Sequence, residues 1–137
     1  MLKDSLREFI DGATERNFIS ADDVKTLTSE VLAEGITSRL EVESLLALDR
    51  MVEAEEAWGR ALTKLVVDYV VWKRAPHGVV GNDDALWLAT VLEVSGPSAN
   101  AMNIAYAVMD EAGSVDAALL DFIMRGRQQA RQSLMAA

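Results

Sequence analysis

The chain has 137 residues, of which 50% are apolar and 26% charged, and its 22 acidic and 13 basic residues give a formal charge of −9. This length suits one globular domain that buries a core without covalent staples. Because the chain has no cysteine, disulfides, thiolate nucleophiles and cysteine-ligated zinc are excluded. The negative charge argues against nucleic acid and anionic membranes as partners.

The sequence has neither the pattern of a signal peptide nor that of a membrane-spanning helix. The first eight residues carry charges throughout, unlike the apolar core of a signal peptide. The most apolar run, from Leu65 to Trp72, is interrupted by Asp68 and is far shorter than the roughly 20 residues that span a bilayer. We therefore expect a soluble, cytoplasmic protein.

The first two helices are predicted from apolar spacing and from turn residues. Gly12 is expected to end the first helix, and Asn17 is expected to take the turn position that glycine often fills. Ser20 can cap the second helix, and Gly35 is expected to end it. The apolar residues of the first helix fall at helical spacing: Leu2, Leu6, Phe9 and Ile10.

Ser38 and Glu41 have the Ser-x-x-Glu spacing of a capping box, which predicts the start of a third helix. A fourth helix is expected to begin near Ala54. The β-branched content of residues 66–72 would also suit a strand, but no turn separates them from the helical pattern before, and we interpret them as helix. The fourth helix carries a wide apolar stripe that is expected to lie in the core: Trp58, Leu62, Leu65, Val66, Tyr69 and Trp72.

Three more helices complete the prediction. Pro76 is expected to end the fourth helix, and residues 78–84 repeat the turn-and-cap pattern before the fifth. The sequence Gly96-Pro97-Ser98 is a strong breaker before the sixth helix, and residues 112–116 form the turn before the last. We predict an all-α fold, a single compact bundle of about seven helices over residues 1–125, with 126–137 as a helix end or flexible tail.

The glycine turns differ from EF-hand calcium loops, which need acids at positions 1, 3 and 5 and Glu at position 12. With Gly35, Gly78 or Asn17 at position 6, the other positions do not supply enough carboxylates. Helix capping is the better explanation of these turns.

Residues 32–41, with the sequence LAEGITSRLE, resemble the Ala-Asp-Gly-x-Ile-Ser-x-x-Glu element of tellurite-resistance TerB-like domains. Residues 77–84, HGVVGNDD, are similar. In this chain Glu34 and His77 stand where the family has Asp before Gly. The resemblance implies an all-helical domain of about this length, and several members of that family are associated with stress response and divalent cations.

If the two similar turns pack side by side, four carboxylates could form a site for calcium or magnesium: Glu34, Glu41, Asp83 and Asp84. Oxygen ligands of this kind are the ones that both cations prefer. The alternative is that these acids belong to two ordinary capped helices, and no other cofactor is expected.

Catalytic signatures are missing from the sequence. There is no Gly-x-Ser-x-Gly, His-Glu-x-x-His or phosphate-loop motif. His77 is the only histidine, and its place between Pro76 and Gly78 favours a turn residue. We expect a protein without catalytic activity, although an enzyme that uses carboxylates alone needs no signature spacing and stays open.

Two surfaces are candidates for binding a protein partner. Leu86, Trp87 and Leu88 are adjacent on one helix and cannot all face inward, so Trp87 is a candidate contact. Three arginines near one face of the last helix are a second candidate, for an acidic surface or another copy of the chain: Arg125, Arg127 and Arg131. The favoured function is protein–protein interaction or self-association, and the alternative is a cation-responsive TerB-like stress-response domain.

Overall fold

A computed structural model describes residues 2–94 and 98–136, with the backbone alone for residues 133–136. The described chain forms seven α-helices and four strands of two residues, so the predicted all-α class is confirmed. None of the described helices combines the length and apolar character needed to cross a bilayer. The predicted breaker at Gly96-Pro97 lies outside the described residues.

The chain divides into two compact units, Met1–Tyr69 and Val70–Ala137, a division that length and composition did not indicate. The first unit contains α1 (Asp4–Arg16), β1 (Phe18–Ile19), α2 (Ala21–Thr26), a first π-helical segment (Leu27–Val31), α3 (Arg39–Met51), β2 (Glu53–Ala54) and α4 (Glu56–Val67).

A second π-helical segment, Asp68–Lys73, follows α4. The second unit then contains β3 (Val79–Val80), α5 (Asn82–Glu93), α6 (Ala99–Glu111), β4 (Ser114–Val115) and α7 (Ala117–Ala136). Residues 126–136 thus continue the last helix, one of the two alternatives left open by the sequence.

The four short strands form two parallel pairs, which the sequence analysis did not anticipate. In the first unit β1 pairs with β2, Phe18 opposite Glu53, and the N–H of Glu55 extends the ladder to the carbonyl of Ile19 at 3.0 Å. The side chain of Glu55 also accepts a hydrogen bond from the N–H of Ala21. The pairing therefore links the helices that flank β1 to the helices that flank β2.

The second unit repeats this pairing. Val79 of β3 lies opposite Ser114 of β4, and the N–H of Asp116 reaches the carbonyl of Val80 at 2.9 Å. Asp116 then accepts hydrogen bonds from the side chain of Asn82 at 3.2 Å and from the N–H of Ala118 at 3.0 Å. These bonds bring the beginnings of α5 and α7 together.

The turn before each of β1 and β3 is made by a residue in the left-handed conformation. Asn17 has φ 57° and Gly78 has φ 80°, and Asn and Gly are the residues that reach this region at least cost. The prediction that Gly12 ends the first helix is wrong, because α1 continues through it to Arg16. A glycine inside a helix destabilises it by only about 0.5–1 kcal/mol relative to alanine, and the packing of α1 outweighs this cost.

The serine caps predicted at Ser20 and Ser38 are confirmed, and the structure adds a third at Ser98. Ser20 and Asp23 form a reciprocal capping box, and Ser98 accepts a hydrogen bond from the N–H of Ala101. Ser38 accepts from the N–H of Glu41 at 3.3 Å. The carboxylate of Glu41, however, binds the N–H of Thr37 at 2.8 Å, one residue before the position that the capping-box prediction assigned.

Helix rather than strand is confirmed for residues 66–72, which are α-helical to Val67 and π-helical beyond. Trp58 is buried as predicted, but Trp72 is 44% exposed. A π-helical turn takes up more residues than an α-helical turn, so it rotates the residues that follow away from the apolar stripe of α4. The core assignment of Trp72 was therefore wrong.

Candidate interaction surface

The first half of α7 is held in the second unit by apolar packing. Leu119, Phe122 and Ile123 are buried, and α7 packs on both α5 and α6. Arg125 adds an ion pair to Glu93 of α5, with its Nε 3.0 Å from Oε1. One face of this part of the helix is therefore fully occupied.

A different face of α7 is exposed and carries a regular pattern. Leu120 is 44% and Met124 54% exposed, and Arg127 and Arg131 follow at the next helical positions. Residues spaced by three and four share a face of a helix, so these four side chains form one line. We call this line, Leu120, Met124, Arg127 and Arg131, the α7 stripe.

The second half of α7 has no packed face among the described residues. All six residues from 127 to 132 are exposed, whereas a surface helix of a globular protein normally buries one side. No acidic residue follows Asp121 in the sequence, so this half of the helix is purely cationic. Neither Arg127 nor Arg131 forms an ion pair with a described residue.

The three predicted arginines do not act as one group. Successive helical residues are rotated by about 100°, so Arg125 and Arg127 point roughly 160° apart. Arg125 pairs with Glu93, while Arg127 and Arg131 lie on the α7 stripe. The prediction of one shared face is wrong for Arg125.

The adjacent residues Leu86, Trp87 and Leu88 separate as the sequence analysis required, with one of them exposed. Leu88 is fully buried and Leu86 is 51% exposed. Trp87 is half-buried. The exposed apolar residue of this helix is therefore Leu86, one position before the tryptophan that was singled out.

The four predicted metal-binding carboxylates are divided between the units. Glu41 is buried and accepts hydrogen bonds from both the N–H and the hydroxyl of Thr37. Asp84 pairs with Arg74, whose Nε lies 2.8 Å away. Glu34 and Asp83 lie at exposed positions. Among the described residues no group of three or more histidine or acidic side chains is placed to hold a metal ion.

His77 is exposed in the turn before β3. It lies between Pro76 and Gly78, and the N–H of Gly78 donates to the carbonyl of Val71 at 2.8 Å. This is the position that the sequence analysis expected for a turn residue.

The first unit contains an open groove of about 420 Å³ between α1 and the first π-helical segment. Ser5, Phe9 and Gly12 of α1 line one side, and Val31 lines the other. Lys3 at one end donates to the carbonyl of Val31 at 3.3 Å, and Arg16 at the other end pairs with Asp23. The two walls therefore run in opposite directions.

The two ends of the groove differ in charge. Glu8 and Glu30 line it, both are exposed, and neither forms an ion pair with a described residue. Arg16 lines the other end, where it pairs with Asp23 at 3.3 Å. The groove therefore has one end where two carboxylates outnumber the single cation Lys3 and one end where Arg16 is neutralised by Asp23.

The Asp23 carboxylate that neutralises Arg16 has a perturbed pKa. Partial burial raises the pKa of Asp23, but hydrogen bonds from the backbone and side chain of Ser20, with the charge of Arg16, outweigh burial and hold that pKa below its ordinary value. Asp23 thus stays ionised at neutral pH and keeps Arg16 in place.

Comparisons with protein-family models, curated proteins and solved structures find no match to this chain.

The sequence analysis found two of the four stripe residues and missed the groove. Leu120 and Met124 directly follow the buried Leu119 and Ile123 in the sequence, and only the rotation of about 100° per residue separates the two pairs. The groove had a weaker signal. Ser5, Phe9, Gly12 and Arg16 repeat the spacing of one helix face, but the opposite wall comes from another element.

Proposed function

We propose that this chain is a non-enzymatic interaction domain that acts by protein–protein contact, in the first instance with a second copy of itself. The observation that carries the proposal is the α7 stripe on a helix end whose described residues are all exposed. A helix face that combines apolar and cationic side chains is a common form of recognition helix, which docks its apolar residues into a groove of a partner.

Charge supports a protein as the partner. Unit Met1–Tyr69 holds 15 acidic and 8 basic residues, a balance of −7, whereas unit Val70–Ala137 holds 7 acidic and 5 basic, a balance of −2. A molecule with this total charge repels polyanions, while its cationic helix end is attracted to the acidic surface of another copy. Such attraction falls with added salt.

The test is native mass spectrometry, with light scattering at several protein concentrations. The wild type is expected to associate, and Arg127→Gln with Arg131→Gln is expected to reduce the association. The matched control is Gln129→Glu with Gln132→Glu, which changes the net charge by the same amount on the other side of the same helix. A wild type that stays monomeric, or equal effects of the two pairs, would contradict the proposal.

The cation-responsive, TerB-like alternative is tested in the same samples. It predicts a rise in melting temperature with calcium or magnesium that disappears in Glu41→Ala or Asp84→Ala. Both carboxylates already have protein partners, Thr37 and Arg74, and for this reason we rank the alternative second. An association that a chelator abolishes would reverse the ranking.

A further inference from the structure

We propose that the groove between α1 and the first π-helical segment is the receiving site for the α7 stripe of a second copy. This inference rests on the proposed function, to which it adds the surface that the stripe contacts and the orientation of the contact. Stripe and groove belong to different copies in this proposal.

The two surfaces match in length. The stripe runs from Leu120 to Arg131, and the α1 wall of the groove runs from Ser5 to Arg16. Each contains twelve residues, and its eleven steps cover roughly 16 Å of helix at 1.5 Å per residue. A helix laid along the groove would therefore use the whole stripe and the whole wall.

The two surfaces also match in charge. Arg127 and Arg131 form no ion pair with a described residue, and the same is true of Glu8 and Glu30. Each side thus has two charged side chains without an ion pair among the described residues, and the signs are opposite. Complementary charges of this kind set the partner and the register of an interface.

The charge pattern decides the orientation. Glu8 and Glu30 at one end of the groove attract the stripe's arginines, whereas Arg16 at the other end is neutralised by Asp23 and leaves no carboxylate there to attract them. The incoming α7 therefore lies antiparallel to α1, with Arg127 and Arg131 beside the two glutamates. Its apolar residues, Leu120 and Met124, then cover Phe9 and the aliphatic stem of Arg16. Long cationic side chains commonly bury this stem while the charged group stays in water.

The wall opposite α1 has an unusual backbone. The π-helical segment Leu27–Val31 contributes Glu30 and Val31 to the groove. Helical turns of this type are rare and occur frequently at functional sites. This observation is independent of the charges and points to the same place.

Because the stripe and the groove are different surfaces, the contact is heterologous. Two copies joined by one such contact leave one stripe and one groove, which pair with each other in a closed dimer or with further copies in a larger ring or a chain. We therefore expect the wild type to associate into a closed dimer or larger species as its concentration rises.

The decisive experiment mixes two variants of the full chain. One has a reversed groove, Glu8→Lys with Glu30→Lys, and the other a reversed stripe, Arg127→Glu with Arg131→Glu. Alone, each is expected to associate at least about tenfold more weakly than the wild type, since like charges now face each other. Mixed, they retain one intact groove and one intact stripe, and native mass spectrometry should show a one-to-one dimer and nothing larger.

A control variant, Asp11→Lys with Glu43→Lys, makes the same charge change at two exposed positions of the first unit outside the groove. It should associate like the wild type. The pair Glu8→Gln with Glu30→Gln repeats the test without added lysines, and circular dichroism confirms that each variant is folded.

The outcomes separate the two proposals. If the wild type is monomeric at every concentration, both the proposed function and this inference are overturned. If the wild type associates and the stripe variant does not, but both groove variants assemble normally, the proposed function stands and the groove is not the receiving site. A dimer that forms in the mixture, but not in either variant by itself, supports the groove as the receiving site.

Discussion

The two units of this chain share one arrangement and differ in the chemistry that supports it. In each, a left-handed residue, Asn17 or Gly78, leads into a two-residue strand and a helix. A second helix, a second short strand and a last helix follow, and the two strands pair in parallel. The acidic residue after the second strand, Glu55 or Asp116, donates its N–H to the first strand in both.

The differences lie in the helix after the first strand. In the first unit this helix begins with the Ser20 capping box, stops after Thr26 and continues as a π-helical segment. In the second unit Gly81 stands at the cap position and α5 runs regularly for 12 residues. The groove lies beside the irregular helix. The left-handed turn and the strand pairing therefore define the shared arrangement, whereas the helix cap and the regularity of the helix differ between the units.

The largest expected effect comes from two tryptophans that differ in burial. Trp58 is 1% exposed and Trp72 is 44% exposed, yet each donates its indole N–H to a carboxylate, at 2.9 Å and 3.2 Å. Trp58→Ala should cost about 3–5 kcal/mol through the cavity it leaves, and Trp72→Ala about 1 kcal/mol. Urea unfolding of both variants measures this, and equal losses would show that the exposed ring is packed after all.

The next effect tests the turn that the units share. Gly78→Ala places a Cβ on a residue with φ 80°, which should cost roughly 1–2 kcal/mol. Gly81→Ala is the matched control, because its Cβ would meet no atom within 4 Å and its φ of −76° suits any residue. Thermal unfolding that ranks Gly81→Ala as the more damaging change would refute the shared role of the turn.

A smaller effect tests the difference in caps. Ser20→Ala removes the hydroxyl that accepts the Asp23 N–H at 3.1 Å and should cost about 1 kcal/mol. Gly81→Ser places a capping side chain at the equivalent position of the second unit and should change stability by only a few tenths of a kcal/mol. Denaturant midpoints of the two variants give the comparison, and a larger change from the second substitution would mean that α5 depends on its cap.

The smallest effect is the pH dependence that Asp23 of the first unit contributes. The pKa of Asp23 is lowered in the folded chain, so its ionised form stabilises the fold above the ordinary carboxyl pKa of about 4, and this contribution is lost as the pH falls through that value and below. Asp23→Asn should therefore lose less stability than the wild type between about pH 6 and pH 3. Parallel acid-limb curves for the two proteins would show that Asp23 contributes nothing to this dependence.

Much of the local structure could be predicted because its causes are local. The caps at Ser20, Ser38 and Ser98 depend on residues within one turn of helix, and the apolar spacing of α3 and α4 marks their buried faces. The errors at Gly12 and Trp72 arose where a neighbouring element or a π-helical turn overrode a local rule.

The all-α class, the approximate helix positions and the cationic character of the last helix follow from side-chain spacing and type, which can be read along the chain. The parallel pairing of β1 and β2, which are distant in sequence, depends instead on tertiary packing. Tertiary packing also decided that Arg125 pairs with Glu93 while Arg127 faces outward, and that Glu8 and Glu30 line one groove. The physical reason is the same in each case: these features depend on which remote segments pack together, and a linear pattern does not contain that information.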